Sequence, residues 1–209
     1  MGTLRGYRPG NTLIVEGATD TDVMVLLAGY AKVMGNTIDG HTVLLSIRVG
    51  GDLVGEVAAI DGQPRSATVV AATDLTARVI SQHLFLSFMA TRPNAAHAIN
   101  RAMVGKLRMA TRRRVDVGGV PVLTRLARML DYLATNHGLA VDDGIRIAVP
   151  LSQPDLAALV NAAEPSLHRA LAVLRRDGVV RTGYRTVVIR DQARLAAIAS
   201  DAEPRPGRP

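Results

Sequence analysis

From Thr12 to about Ile80, short β-like runs follow one another, separated by Gly and Asp: TLIVEG, DVMVLLAG, YAKVMG, HTVLLSIRVGGD and SATVVAAT. Several short strands at this spacing predict a β-sandwich or β-roll. Residues 82–91, QHLFLSFMAT, predict a short helix. Past Pro93 the period changes. Asn100, Met103, Leu107, Ala110, Arg114 and Val117 recur three and four apart, one stripe along a helix over 93–117. So long a stripe predicts a seam between two identical subunits. Ile99, Ala102 and Met109 would pack that helix on its own β-domain. GGVP at 118–121 ends the helix and predicts a hinge.

VLTRLARMLDYLATNHG then predicts an amphipathic helix, with Leu123, Leu126, Ala127, Leu130 and Leu133 on one face. In the segment that follows, Ser152 caps a short helix, with Asp155 in the capping-box position and Pro154 in the first turn. A second helix starts at Glu164–Pro165 and ends near Asp177–Gly178. Two β-like segments, 179–182 and 186–190, flank GYR as a hairpin. Helix, turn, helix, hairpin is the order of a winged helix-turn-helix. The tail SDAEPRPGRP predicts disorder. The fold class is therefore α+β: a β-roll over 1–92, a long helix over 93–117, a hinge at 118–121, a winged helix-turn-helix over 122–198 and a tail over 199–209.

The 209 residues contain no cysteine, which excludes disulfides, thiolate nucleophiles, iron–sulfur clusters and Cys-based zinc sites. No apolar run approaches the ~20 residues of a membrane span, and no leader opens the chain, so the expectation is a cytoplasmic protein with no membrane partner. The five histidines (41, 83, 97, 137 and 168) show neither HxxxH nor HExxH spacing, so no metal is expected. No Ser/His/Asp set, carboxylate pair or Walker loop suggests an enzyme. The net charge is +7. Residues 1–92 are close to neutral, and the whole positive excess lies beyond them, where a polyanion would bind.

Within the β-region, GEVAAIDGQPRSATV (55–69) sets one carboxylate and one guanidinium about ten residues apart. GEVAAI predicts a short helix whose first N–H groups favour an anion, and PRSA returns an Arg and a hydroxyl. Glu56 would repel a phosphate and so suits a neutral donor such as a ribose hydroxyl. A cyclic nucleotide carries both groups. The bland alternative is a Glu56–Arg65 salt bridge closing a turn.

GE-x6-G-x-PRSATV resembles the phosphate-binding cassette of cyclic-nucleotide-binding domains, and the whole order of elements resembles the CRP/FNR family. The resemblance implies a cyclic-nucleotide-binding β-roll, a dimerisation helix and a DNA-binding winged helix-turn-helix. It gives Gly55 and Glu56 the ribose, and Arg65, Ser66 and the Ala67 backbone the cyclic phosphate. Where family members that bind cyclic AMP set two successive hydroxyl residues against the base, this chain has Ala110 and Thr111. Thr111 alone can hydrogen-bond, which leaves cyclic AMP, cyclic GMP or another cyclic nucleotide open as effector.

The resemblance also sends the second helix of the helix-turn-helix into the DNA major groove. There Arg169 suits guanine, Ser166 or His168 a phosphate or base, and Glu164 a cytosine. Arg175, Arg176, Arg181 and Arg185 are candidates for phosphate contacts. The implied partners are a pseudo-palindromic double-stranded DNA site, a second copy of the chain and RNA polymerase. Two other readings stand beside a nucleotide-controlled regulator: a nucleotide-binding module without DNA specificity, and a DNA-binding regulator independent of ligand.

Overall fold

The computed structural model describes residues 2–36, 42–117 and 119–200, without the side chains of residues 113, 114 and 117. Arg114 and Val117 of the expected seam, Gly118 of the hinge, His41 and the tail from 201 lie outside that description. In chain order, β1 (Thr3–Tyr7), β2 (Thr12–Ile14), β3 (Val23–Ala28), β4 (Tyr30–Asn36), β5 (Thr42–Val49) and β6 (Leu53–Val54) lead to α1 (Glu56–Asp61). Next come β7 (Thr68–Ala71), β8 (Leu75–Ile80), α2 (Gln82–Thr91) and α3 (Pro93–Val117). The remainder is α4 (Val122–His137), β9 (Gly138–Val141), β10 (Gly144–Ile147), α5 (Gln153–Leu159), α6 (Glu164–Arg176), β11 (Val180–Gly183), β12 (Thr186–Ile189) and α7 (Gln192–Ser200). The chain divides into two compact units, Met1–Met109 and Ala110–Pro209, at a point inside α3.

In the first unit two four-stranded sheets, in the orders β1-β8-β3-β6 and β2-β7-β4-β5, share one core. Alternation decides which residues enter it. Leu75, Ala77 and Val79 of β8 point inward while Thr76 and Arg78 do not, and β3 answers with Met24 and Leu26. Ile14, Ala31, Val69 and Ala71 close the core from the second sheet. A second cluster of Val23, Ala59, Ile80, Phe85 and Ile99 seats α1, α2 and the start of α3 against the roll.

One residue of the expected seam also touches the β-domain, and one expectation is corrected. Met103, assigned to the subunit seam, packs partly buried on that second cluster. Ala102, assigned to the β-domain, is exposed. Leu107 at 66% exposure and Val104 at 48% do leave an apolar face uncovered on α3. Strand β1 is also an addition to the sequence reading, which began at Thr12; it pairs antiparallel with β8 from Thr3↔Val79 to Tyr7↔Leu75.

In the second unit α4 buries Leu126, Ala127, Met129, Leu130, Leu133 and Ala134, whereas Leu123 is only half-buried. Ser152 caps α5: its hydroxyl accepts from the Asp155 N–H, and the Asp155 carboxylate accepts from the Ser152 N–H at 2.8 Å. Asn161 then turns the chain at φ 49°, a left-handed conformation that Asn tolerates, and α6 starts at Glu164. A four-stranded sheet, β11-β12-β10-β9, backs the helices. The β9–β10 hairpin and α7, which continues to Ser200, are additions to the sequence reading.

Candidate functional site

The cassette begins at Gly55, which has φ 84° and directly precedes α1. Its conformation and its space both require glycine. A Cβ there would stand 2.6 Å from Arg65 Nη1 and 2.7 Å from the Asp22 carbonyl oxygen. The backbone closes tightly because the guanidinium lies against it.

Arg65 is buried, at 3% exposure, and held from three sides. Nη1 donates to the Gly55 carbonyl at 2.9 Å, and Nη2 donates to the Asp22 carbonyl at 2.7 Å and to Asp20 Oδ2 at 2.5 Å. Its Nε is buried without a hydrogen-bond partner. A buried, unsatisfied donor on a cation costs about 1–3 kcal/mol or more, and an incoming anion is the natural remedy. Ser66 beside it is exposed and Ala67 half-buried. The two backbone carbonyls hold the guanidinium in place, and its spare N–H beside the Ser66 hydroxyl offers donors whose chemistry fits a phosphate.

Glu56 opens α1 and is 4% exposed. Its partner is not Arg65, so the bland turn-closing salt bridge does not form. Lys106 Nζ on α3 donates to Glu56 Oε1 at 2.7 Å and to the Leu53 carbonyl at 2.7 Å. Lys106 was missed as a site residue. Ile99, Met103 and Lys106 recur four and three apart, so the face that docks α3 on the second cluster also delivers the ammonium to Glu56. Thr111 is exposed on α3 and belongs to the second unit.

In the second unit the exposed face of α6 carries Glu164, His168, Arg169, Arg175 and Arg176, with Ser166 half-buried. Leu167, Ala170, Leu171 and Leu174 anchor the opposite face. Arg169 Nη2 donates to Ser166 Oγ at 3.1 Å. The arginines assigned together to phosphate contacts differ in what holds them. Arg181 forms a two-point pair with Asp143, Nε to Oδ2 at 2.9 Å and Nη2 to Oδ1 at 3.2 Å. That hydrogen bond pulls the Asp143 carboxyl below its usual range and lifts Arg181 above its own. Arg176 pairs with Asp177 at 3.0 Å. Among the described residues Arg175 donates to a hydroxyl, Thr182 Oγ1 at 3.3 Å, and Arg185 lies over the ring of Tyr184, which is 90% exposed at the hairpin tip. Arg175 and Arg185 thus keep more of their charge for a polyanion than Arg176 and Arg181.

Residues 4–92 match the cyclic nucleotide-binding domain model and residues 124–198 the Crp-like helix-turn-helix domain model. The chain is 28% identical over 187 residues to a CRP-like cAMP-activated global transcriptional regulator of Mycobacterium tuberculosis, covering 90% of this chain and 84% of the relative. It is 25% identical over 195 residues to the cyclic AMP receptor protein of Thermus thermophilus, covering 93% and 87%. Among solved structures, a CRP-family transcriptional regulator from Thermus thermophilus superposes with a TM-score of 0.79 at 25% identity, covering 95% of this chain and 97% of that one.

Proposed function

The chain belongs to the CRP/FNR family of transcriptional regulators, and from that premise we propose that it is a homodimer whose hold on DNA is set by a cyclic nucleotide in the β-roll. Arg65 carries the reading: a buried guanidinium with an unpaired Nε, inside the matched cyclic nucleotide-binding domain. Arg65 and Ser66 would take the cyclic phosphate, with the Ala67 backbone beside them. Glu56, its Oε1 held by Lys106, would accept from a ribose hydroxyl next to Gly55. Thr111 would hydrogen-bond the base. Cyclic AMP is the first candidate, because relatives named for it align over nearly the whole chain; cyclic GMP is the second.

The exposed, apolar Val104 and Leu107 support a seam along α3 with a second copy. Two α6 helices about 34 Å apart would then read a pseudo-palindrome, with Arg169 on guanine and Arg175 and Arg185 on phosphates. Glu164, Ser166 and His168 share that helix face, while Arg176 and Arg181 serve after exchanging their acidic partners for DNA. Ligand controls DNA only through unequal affinity for two arrangements of the dimer. A regulator of this kind works in the cytoplasm, has RNA polymerase as a further partner, and needs no catalytic residues.

Calorimetric titration with cyclic AMP and with cyclic GMP tests the pocket. Arg65→Ala should weaken binding roughly thirtyfold, about 2 kcal/mol for a lost charge-assisted contact. Selection of bound DNA with and without nucleotide tests the rest. A shared motif should emerge with nucleotide, and Arg169→Ala should lose it while keeping salt-dependent binding. A chain that binds nucleotide yet selects no motif in either condition is a nucleotide-binding module. One that selects the same motif without binding nucleotide is a ligand-independent regulator.

A further inference from the structure

The Asp20–Arg65 pair joins two very unequal partners. The Arg65 side chain is 2% exposed and the Asp20 side chain 55%. The backbone on either side of Asp20 is tied down. Gly17 N–H donates to the Arg65 carbonyl and Arg65 N–H to the Ala18 carbonyl, both at 2.8 Å, and Thr21 Oγ1 donates to Gln82 Oε1 at 3.1 Å. The loop is therefore tied to the cassette at Arg65 and to α2 at Gln82, and the Asp20 carboxylate faces water from between these ties.

We propose that Asp20 is the counter-ion a bound phosphate replaces on Arg65, so that Asp20 sets how much nucleotide is needed to fill the pocket. The inference rests on the reading of Arg65 as the phosphate-binding residue. Nη2 has two hydrogens, and Asp20 and the Asp22 carbonyl take both; Nη1 gives one to Gly55, and Nε gives none. Two anions on one guanidinium repel each other at a few ångströms, so a phosphate that recruits Nε must also displace the carboxylate beside it. The exchange is favourable in one direction only. Asp20 is already half in water and gains hydration by leaving, which offsets the lost contact, whereas the buried guanidinium cannot follow it and must keep a negative partner. The affinity seen is then the difference between two ion pairs. A nucleoside without phosphate brings no charge and leaves Asp20 in place.

Titration of the full chain with cyclic AMP, cyclic GMP and adenosine tests this. Asp20→Asn should bind whichever cyclic nucleotide the wild type binds about three- to tenfold more tightly, the size of a partly exposed ion pair. Asp20→Glu should bind close to wild type, and Asp22→Asn, which keeps the carbonyl that holds Arg65, should also be unchanged. Adenosine should bind to none of them. Melting adds a readout that a merely structural role would not move. Asp20→Asn should melt below wild type without nucleotide, and the gap should close at saturating nucleotide. Asp20→Ser, neutral and shorter, guards against an effect peculiar to the amide. Equal or weaker binding by both neutral variants, with the wild type binding, overturns the exchange and makes Asp20 an aid to phosphate binding. Absence of binding by the wild type and every variant sinks the pocket reading itself.

Discussion

Changing Lys106 to Met probes the link between α3 and the cassette. The substitution keeps the aliphatic stem and removes one ammonium that makes two hydrogen bonds, to Glu56 Oε1 and the Leu53 carbonyl, each at 2.7 Å. Glu56 is left with 5% side-chain exposure and no counter-charge. Breaking a fully buried pair from one side costs about 3–5 kcal/mol. Lys106 keeps 23% exposure, so water reaches the vacated place and about 2–3 kcal/mol is the reasonable figure. That is a large part of the ~5–15 kcal/mol that holds a typical domain. Glu56→Gln alone should cost less, because the remaining ammonium keeps the Leu53 carbonyl and some water. With both changes together no buried charge is stranded, and the double variant should recover at least ~1.5 kcal/mol relative to the sum of the two. Amide hydrogen exchange of β3, β8 and α1 in the full chain reads these energies locally, which avoids assuming that both units unfold in one step. Additivity within about 0.5 kcal/mol would refute the argument, since independent sites add that closely.

Leu107→Glu on the uncovered face of α3 should shift the chain toward monomer in sedimentation at micromolar concentration, and a wild type already monomeric there removes the seam. Ser152→Ala should destabilise the second unit by about 1 kcal/mol in denaturant titrations through loss of the α5 cap; an unchanged midpoint would show the cap to be redundant. The Asp143 carboxyl has a folded pKa below its ordinary 3.8, owing first to the hydrogen bond from Arg181 and then to the charges of Arg181 and Arg190. Its contribution to stability is therefore present above 3.8 and lost as pH falls through the lowered folded value. Carboxyl NMR should place that midpoint below 3.8, and Arg181→Ala should move it back up.

Local rules explain which parts of the fold were readable in advance. Short apolar runs announce β3, β4, β5 and β7, and the Ser152–Asp155 pair announces α5 before any tertiary contact is known. Strand β1 has four exposed residues out of five and so carries no inward-facing pattern; its place comes from pairing with β8. The β9–β10 hairpin is half-exposed and short, with Gly138 and Gly144 in place of patterned side chains. In the site, Glu56 and Arg65 stand out through their spacing, but their partners do not. Lys106 lies fifty residues from Glu56 and Asp20 forty-five from Arg65. A lysine on a helix or an aspartate in a polar loop reads as surface until the fold brings it to a buried charge. Met103 makes a related point: one residue in a 3–4 stripe can serve two adjacent faces, and it packs partly buried on its own β-domain beside the proposed seam.

Gly55 constrains how such a chain can change over generations. A single methyl at this position would collide with the Arg65 guanidinium and the Asp22 carbonyl together, and the left-handed backbone would be strained besides. Loss of Arg65 would remove one of the two collisions, but the Asp22 carbonyl and the left-handed backbone would still oppose alanine. A lineage that gives up the ligand is free to lose the arginine first, with the glycine still held by its backbone. The reverse order passes through an intermediate that is damaged twice over, so in lineages that have abandoned the pocket the glycine should outlast the charge it sits against.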